Sequence, residues 1–219
     1  MKTVIFDLDG TLADTSRDLI ASANACFARR GLGDVLDPVA DAATAFRGGR
    51  AMLTLGCSRL ALAPETVEED YPYLLEWYGD NIDRHTVMYP GAVSAIEALA
   101  KSGYAVGVCT NKPEGLAQTL LSRLGVRDLF ASLVGADSLP VKKPDPAPYV
   151  ASVERAGGVV ASSLLVGDTV TDRETARAAG VPSLLVTFGP EGRGVATLEP
   201  EGLLDHYDAL GAEVARLIG

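Results

Sequence analysis

Short apolar runs alternate with amphipathic segments along most of the chain. The apolar runs are rich in β-branched residues and predict five strands, at residues 3–6, 105–109, 132–135, 163–166 and 183–186. The amphipathic segments have the period of an α-helix and predict helices at residues 93–101, 116–124, 148–156 and 171–179. Gly103, Gly125 and Gly180 closely follow three of these segments, as expected for left-handed residues that end helices. The alternation predicts an α/β fold in which helices cover both faces of a parallel sheet.

One long stretch after the first strand departs from this alternation. Between residues 15 and 84 the apolar positions have only helical periodicity, with expected helices at residues 17–30, 38–46, 50–61 and 64–81. We therefore predict a small all-α domain at residues 15–84. The α/β core is then formed by residues 1–14 together with residues 85–219.

The composition is that of an ordinary globular protein and narrows the range of partners. Of the 219 residues, 47% are hydrophobic and 22% are charged. The formal net charge of −10 argues against nucleic acid as a partner, because phosphate backbones select basic surfaces. A small phosphorylated metabolite is compatible with this charge, since a cation with a few Lys or Arg residues can reverse the field within one pocket. The sequence does not determine the oligomeric state.

No segment predicts export or a membrane location. The three cysteines, Cys26, Cys57 and Cys109, are too scattered for a disulfide framework or a zinc site. The first residues lack the features of a secretory signal, and no apolar stretch is long enough to cross a bilayer. We expect a cytoplasmic protein without a membrane partner.

Polar residues follow the predicted strands at the points where the strands end. In an open α/β sheet, ligands bind at the carboxyl ends of the strands. The residues found there are Asp7, Asp9, Gly10 and Thr11 after the first strand, Thr110, Asn111 and Lys112 after the second, Lys142 and Lys143 beyond the third, and Asp168 and Asp172 after the fourth. Carboxylates, hydroxyls and a lysine are thus predicted to meet at one edge of the sheet.

This set of side chains suits phosphoryl transfer. Asp7 and Asp168 provide the hard oxygen ligands that Mg²⁺ prefers, and the cation would reduce the repulsion between Asp7 and a phosphate ester. Asp7 is the expected nucleophile, and Asp9 is the expected acid for the leaving group and base for water. Thr110 and Lys143 are expected to hold the phosphoryl oxygens and offset their charge. The chain has neither a serine-hydrolase elbow nor a phosphate-binding glycine loop that ends in Lys-Ser or Lys-Thr.

The motifs resemble those of the haloacid dehalogenase-like superfamily. Asp7-Leu8-Asp9-Gly10-Thr11-Leu12 with Asp14-Thr15 is similar to its first motif, and Thr110, Lys143-Pro144 and Gly167-Asp168 with Asp172 are similar to the next three. Within the superfamily, the chain looks most like the phosphoglycolate phosphatases. The resemblance implies a Rossmann-like core with a helical cap inserted after the first strand.

The resemblance also implies roles for individual residues. Asp7, Asp168 and the backbone carbonyl of Asp9 are implied to bind Mg²⁺, with Asp172 supporting the metal or its waters. Gly10, Thr11 and Asn111 are expected at the substrate. Thr110 and Asp172 each have an alternative role. Both side chains are of a type that commonly caps the N-terminal end of a helix. Lys142 is expected to face solvent.

The predicted cap contains a basic loop that is a candidate for substrate selection. The loop is Phe46-Arg47-Gly48-Gly49-Arg50, and the resemblance implies that the cap chooses the substrate. Arg47 and Arg50 are candidates for binding the carboxylate of a small acid, because arginine binds carboxylates in a bidentate manner. The alternative is that one or both arginines begin a helix or lie in solvent.

The function predicted from the sequence is Mg²⁺-dependent hydrolysis of a small phosphomonoester through an aspartyl-phosphate intermediate, with 2-phosphoglycolate as the first candidate substrate. Asp9 favours phosphate esters, since the related dehalogenases lack an acid at its position. Two alternatives stay open. One is a sugar phosphomutase of the same superfamily, and the other is a binding module without catalysis.

Overall fold

The computed structural model describes residues 1–219. The chain divides into two compact units. The first contains Met1–Ala13 together with Met88–Gly219, and the second contains Asp14–Val87. None of the helices combines the length and the apolar character that a bilayer crossing requires.

Eight strands and nine α-helices make up the two units. The strands are β1 Thr3–Phe6, β2 Ala13–Asp14, β3 Val87–Met88, β4 Ala105–Cys109, β5 Ser132–Val134, β6 Ser163–Gly167, β7 Ser183–Val186 and β8 Gly202–Leu204. The helices are α1 Ser16–Arg29, α2 Ala42–Ala45, α3 Gly49–Arg59, α4 Thr66–Asp80, α5 Ala92–Lys101, α6 Glu114–Arg123, α7 Ala147–Arg155, α8 Val170–Ala179 and α9 Leu210–Ile218.

The first unit is built on a six-stranded sheet with the order β5-β4-β1-β6-β7-β8, in which every neighbouring pair is parallel. The two-residue strands β2 and β3 form a separate small sheet. All residues of β1 are fully buried, as expected for a central strand covered on both faces. The predicted α/β fold with a parallel sheet is confirmed.

Helices cover both faces of this sheet. On one face α7 and α8 pack over β1, β4 and β6, with Ile5, Tyr149 and Leu165 in the buried cluster between them. On the other face α5 and α9 contact each other and the strands β4, β6 and β8. Buried tyrosines need a hydrogen-bond partner, and the Tyr149 hydroxyl lies 2.6 Å from that of Ser163.

The five predicted strands and the four predicted helices of this unit are confirmed to within one or two residues at each end. Gly103, Gly125 and Gly180 all have positive φ, as predicted for residues that end helices. The strands β2, β3 and β8 and the helix α9 were not predicted from the sequence. The strand β8 has only three residues, which is too short to display an alternating pattern.

The second unit is helical apart from the strand residues at its two ends. The helices α1, α3 and α4 pack closely, and a Cβ atom at Gly56 of α3 would lie 2.2 Å from the ring of Phe27 in α1. Glycine at this position therefore permits a close helix approach.

One predicted helix of the second unit is wrong over most of its length. The pattern predicts a helix at residues 38–46, but α2 contains only Ala42–Ala45. The carboxylate of Asp37 accepts hydrogen bonds from the N–H groups of Val39 and Ala40. Asp41 accepts one from the N–H of Asp37. These side chains hold the segment in a turn, because aspartate competes with the helix for backbone donors.

Candidate active site

The ends of β1, β4 and β6 place the predicted site residues next to one another. Phe6 is in register with both Val108 and Val166, so Asp7 lies between the segments that follow the two neighbouring strands. The N–H of Asp7 continues the ladder by donating to the carbonyl of Val166 at 2.9 Å. Parallel strands in this register bring their carboxyl ends to one edge of the sheet.

Three carboxylates converge at this edge. Oxygen atoms of Asp7, Asp168 and Asp172 all lie within 4.8 Å of one another. Burial raises the pKa of Asp7 to about 6; nearby Lys143 opposes the shift, while the charges of Asp172 and Asp9 add to it. Burial, together with the charges of Asp172 and Asp7, also raises the pKa of Asp168 well above its usual value. The cluster thus has an excess of buried negative charge.

Lys143 supplies positive charge inside the cluster. Its ammonium lies 2.7 Å from Oδ1 of Asp172 and 3.1 Å from Oδ1 of Asp7, and its side chain is only 1% exposed. Burial lowers the pKa of Lys143, but Asp172 and Asp7 raise it more strongly, so the net shift is upward and the lysine stays charged. Lys142 is exposed, as predicted.

Asp172 is held by a dense set of hydrogen bonds. Its Oδ2 accepts from the N–H groups of Asp168 and Thr169 and from the Thr169 hydroxyl, while Oδ1 accepts from Lys143. Asp172 is the third residue of α8 and forms a capping box with Thr169, so the alternative that Asp172 caps this helix is confirmed. A Cβ atom at Gly167 would lie 2.4 Å from Asp172, which explains the glycine before Asp168.

Asp168 has one satisfied and one unsatisfied oxygen. Its Oδ1 accepts from the hydroxyl of Thr11 at 2.8 Å, and Thr11 is itself fully buried. Its Oδ2 is buried without a hydrogen-bond partner. A buried carboxylate oxygen without a partner is costly, and a bound cation removes that cost. The residues present therefore fit a hard divalent cation.

Asp9 lies beside the three-carboxylate cluster and pairs with a different lysine. The ammonium of Lys112 is 2.7 Å from Oδ1 of Asp9. The turn after Asp9 is closed by the N–H of Gly10, which donates to the carbonyl of Ala13 at 3.0 Å. Gly10 has a φ of 81°, a backbone conformation that residues with a Cβ atom rarely adopt.

Thr110 and Asn111 lie in the loop that follows β4. Thr110 is buried and its hydroxyl accepts from the N–H of Lys112, which leaves the hydroxyl proton available for donation. The alternative that Thr110 caps the next helix is wrong, because the N-cap position of α6 is Pro113. Asn111 is exposed, and its side-chain amide donates to the carbonyl of Lys143 at 3.0 Å. This bond ties together the loops that carry Thr110 and Lys143.

Two further residues support the site and were not found by the sequence analysis. The hydroxyl of Tyr207, which is buried, donates to the carbonyl of Thr11 at 2.8 Å. A Cβ atom at Gly189 would lie 2.8 Å from the carbonyl oxygen of Gly10, so a glycine there permits close approach to the first motif. The only sequence signal was the position of the Gly189 loop, directly after the strand β7.

Arg47 and Arg50 of the second unit are exposed and differ in their contacts. Arg50 forms two hydrogen bonds to Glu68 and lies 3.6 Å above the ring of Tyr71. Arg47 forms no ion pair and no side-chain hydrogen bond, so its guanidinium is available to a ligand. The alternative that one or both arginines begin a helix or lie in solvent fits both residues, because Arg50 is the second residue of α3 and Arg47 is exposed.

The second unit also contains a cleft of about 800 Å³. It lies between α1 and the loop at residues 34–39, and its lining includes Asn24, Trp77 and His85. No carboxylate of the cluster described above lines it, and neither does Arg47.

Several curated proteins with similar sequences are named phosphoglycolate phosphatase. A phosphoglycolate phosphatase of Mesorhizobium japonicum is 38% identical over 218 residues, which cover 98% of this chain and 96% of the relative. A phosphoglycolate phosphatase of Rhodospirillum rubrum is 37% identical, with 96% of this chain and 89% of the relative covered. Among solved structures, a predicted phosphoglycolate phosphatase from Haemophilus somnus superposes with a TM-score of 0.85 at 26% identity, and the match covers 97% of each chain.

A family model described as haloacid dehalogenase-like hydrolase matches residues 4–186. The match runs from β1 to β7 and includes Asp7, Thr110, Lys143 and Asp168. The resemblance found in the motifs is confirmed, and the chain belongs to the haloacid dehalogenase-like hydrolases.

Proposed function

We propose that this protein is a Mg²⁺-dependent phosphomonoester hydrolase that works through an aspartyl-phosphate on Asp7, with 2-phosphoglycolate as its substrate. The observation that carries the proposal is the position of Asp7. Its Oδ1 accepts from the N–H of Leu8 at 2.7 Å and faces the Lys143 ammonium, while Oδ2 has no hydrogen bond. A carboxylate fixed through one oxygen and free at the other is well prepared for nucleophilic attack.

The donor set supports a magnesium ion. Asp7 and the unsatisfied Oδ2 of Asp168 would hold it, together with the backbone carbonyl of Asp9. When bound, the ion supplies positive charge that reduces repulsion between the carboxylates and the phosphoryl oxygens. Both oxygens of Asp172 are engaged within the protein, so we assign Asp172 the task of holding Lys143 and the start of α8.

In the first half of the reaction, Asp7 attacks phosphorus. A bond forms between Oδ2 of Asp7 and phosphorus, and the ester P–O bond breaks. Protonated Asp9 gives its proton to the departing alkoxide, which leaves as an alcohol. Lys143 stays charged throughout and offsets the charge that develops on the phosphoryl group.

In the second half, water releases the phosphate. Asp9, now a carboxylate, takes a proton from a water molecule as the water oxygen bonds to phosphorus. The bond between phosphorus and Asp7 breaks, and inorganic phosphate leaves. The Thr110 hydroxyl donates to a phosphoryl oxygen in both halves, since its proton is available.

The choice of substrate rests on the relatives and on one exposed arginine. Proteins at 37% and 38% identity are named phosphoglycolate phosphatases. We infer that the helical unit Asp14–Val87 acts as the cap and that Arg47 binds the carboxylate of the substrate. Arginine suits this task because its planar guanidinium matches a carboxylate in a bidentate manner.

The test is phosphate release from a panel of esters with Mg²⁺ present. The panel contains 2-phosphoglycolate, hexose phosphates, nucleotides and p-nitrophenyl phosphate. We expect a strong preference for 2-phosphoglycolate and loss of activity in EDTA. Even release from many esters would refute the named substrate while keeping the reaction. Absence of release from every ester would refute the proposed hydrolysis.

A further inference from the structure

The proposed reaction gives no role to the ion pair between Lys112 and Asp9. The Lys112 ammonium lies 2.7 Å from Oδ1 of Asp9, and its side chain is 4% exposed, against 19% for Asp9. A lysine this deeply buried is rare unless it is paired. Lys143 serves Asp7 and Asp172, so the two lysines contact different carboxylates.

The backbone of Lys112 is fixed on both sides. Its N–H donates to the hydroxyl of Thr110 at 3.2 Å, and its carbonyl accepts from the N–H of Ala136 at 2.9 Å. The loop therefore cannot shift without breaking contacts to the β4 and β5 ends. A fixed backbone and a buried side chain hold the ammonium in one place.

The pair with Lys112 distinguishes the two oxygens of Asp9. An ammonium only donates hydrogen bonds and never accepts them. The oxygen that faces Lys112 therefore acts as an acceptor, whether Asp9 is a carboxylate or a carboxylic acid. The carbonyl oxygen of a carboxylic acid is its stronger acceptor, so the ammonium favours a proton on the other oxygen of Asp9, Oδ2.

We propose that Lys112 is a positioning residue that holds Asp9 so that Oδ2 transfers the proton to and from the reacting oxygen. This rests on the proposed hydrolysis. In the first half, the Oδ2 proton moves to the alkoxide as the ester P–O bond breaks. In the second half, Oδ2 takes a proton from water as the bond between phosphorus and Asp7 breaks.

The role predicts a selective loss that depends on the leaving group. A p-nitrophenolate leaves without a proton, whereas an alkoxide needs one, and general acid catalysis contributes about 10²–10⁴-fold. The ratio kcat/KM reports the steps through loss of the leaving group. In Lys112→Met, we expect kcat/KM for glycerol 3-phosphate and 2-phosphoglycolate to fall at least about tenfold more than for p-nitrophenyl phosphate.

The experiment compares four variants on these three esters. Asp9→Asn establishes the selective loss that follows from removing the acid itself. Lys142→Met removes an exposed lysine from the same segment as Lys143 and controls for net charge. Lys112→Met in the Asp9→Asn background should lose no more than about twofold beyond Asp9→Asn alone, because the two residues act through one step. Circular dichroism and thermal unfolding check that each variant is folded.

Each outcome decides a different point. An equal loss on all three esters in Lys112→Met, or a full additional loss in the double variant, would overturn the positioning role. A loss confined to 2-phosphoglycolate would overturn it too, by making Lys112 a ligand of the substrate carboxylate. Absence of a selective loss in Asp9→Asn, or of any turnover in the unmodified protein, would instead be a failure of the proposed function.

Discussion

Replacing Asp7 with asparagine should abolish turnover and also stabilise the metal-free protein at neutral pH. Asn has nearly the same size but no charge. Burial is the main reason that the pKa of Asp7 is raised from 3.8 to about 6 in the folded protein. A shift of about 2 pKa units corresponds to roughly 3 kcal/mol. The nucleophile is thus held ionised at a cost to folding.

The pH dependence has a definite sign. Between about pH 4 and pH 6 the folded state retains a proton on Asp7 that the unfolded state has lost. The free energy of unfolding therefore falls as the pH rises through this window, and the loss is complete above about pH 6. Asp7→Asn lacks this titration, so its advantage should grow from near zero at pH 4 to about 3 kcal/mol at pH 7.

The assay is urea unfolding in EDTA, followed by circular dichroism at several pH values. Asp128→Asn is the matched control, because it removes one exposed carboxylate from the same unit. A difference between Asp7→Asn and the unmodified protein that does not change with pH would refute the reasoning. Residual turnover in Asp7→Asn would remove Asp7 from the nucleophile position.

Three further predictions follow from the same site. Mg²⁺ affinity, measured by calorimetry, should fall about tenfold from pH 7.5 to pH 5.5, because the cation must displace protons from carboxylates whose pKa values are raised; a constant affinity would contradict this. Lys143→Met should lose about 3–5 kcal/mol of stability in urea unfolding, since it leaves buried Asp172 unpaired; a loss below about 1 kcal/mol would argue against a charged buried pair. Arg47→Ala should raise KM for 2-phosphoglycolate more than Arg50→Ala does, because Glu68 and Tyr71 engage Arg50; the reverse order would contradict the assignment.

The strand ends were predictable because the strands themselves are unambiguous. β1 is an unbroken apolar run with buried residues throughout, and its end fixes the position of Asp7. The order and spacing of the four motifs then placed Thr110, Lys143 and Asp168 at the same edge. Such local patterns can be recognised without knowing how distant segments of the chain pack together.

The individual supporting contacts were not predictable, because the strand pattern places residues at one edge of the sheet without determining which side chains pair. Lys112 and Asp9 are 103 positions apart, and Tyr207 and Thr11 are 196 apart. Nothing in the sequence near Tyr207 indicates that its hydroxyl reaches the first motif. These contacts depend on loop conformations that form only when the whole sheet is assembled. The predicted helix at residues 38–46 was wrong for a different reason. The side chains of Asp37 and Asp41 accept hydrogen bonds from backbone N–H groups within this segment.

The central position of β1 has a consequence for synthesis of the protein. β1 is made before both of its partner strands, because Val4 pairs with Val106 and Leu164. At roughly 5–20 residues per second, β1 emerges on the order of 5–20 s before β4 and roughly 8–30 s before β6. During this interval the nascent chain has an apolar strand with open edges, which is a target for chaperones and for aggregation. A ribosome that stops before residue 163 therefore releases a chain in which the strand that leads to Asp7 has no second partner.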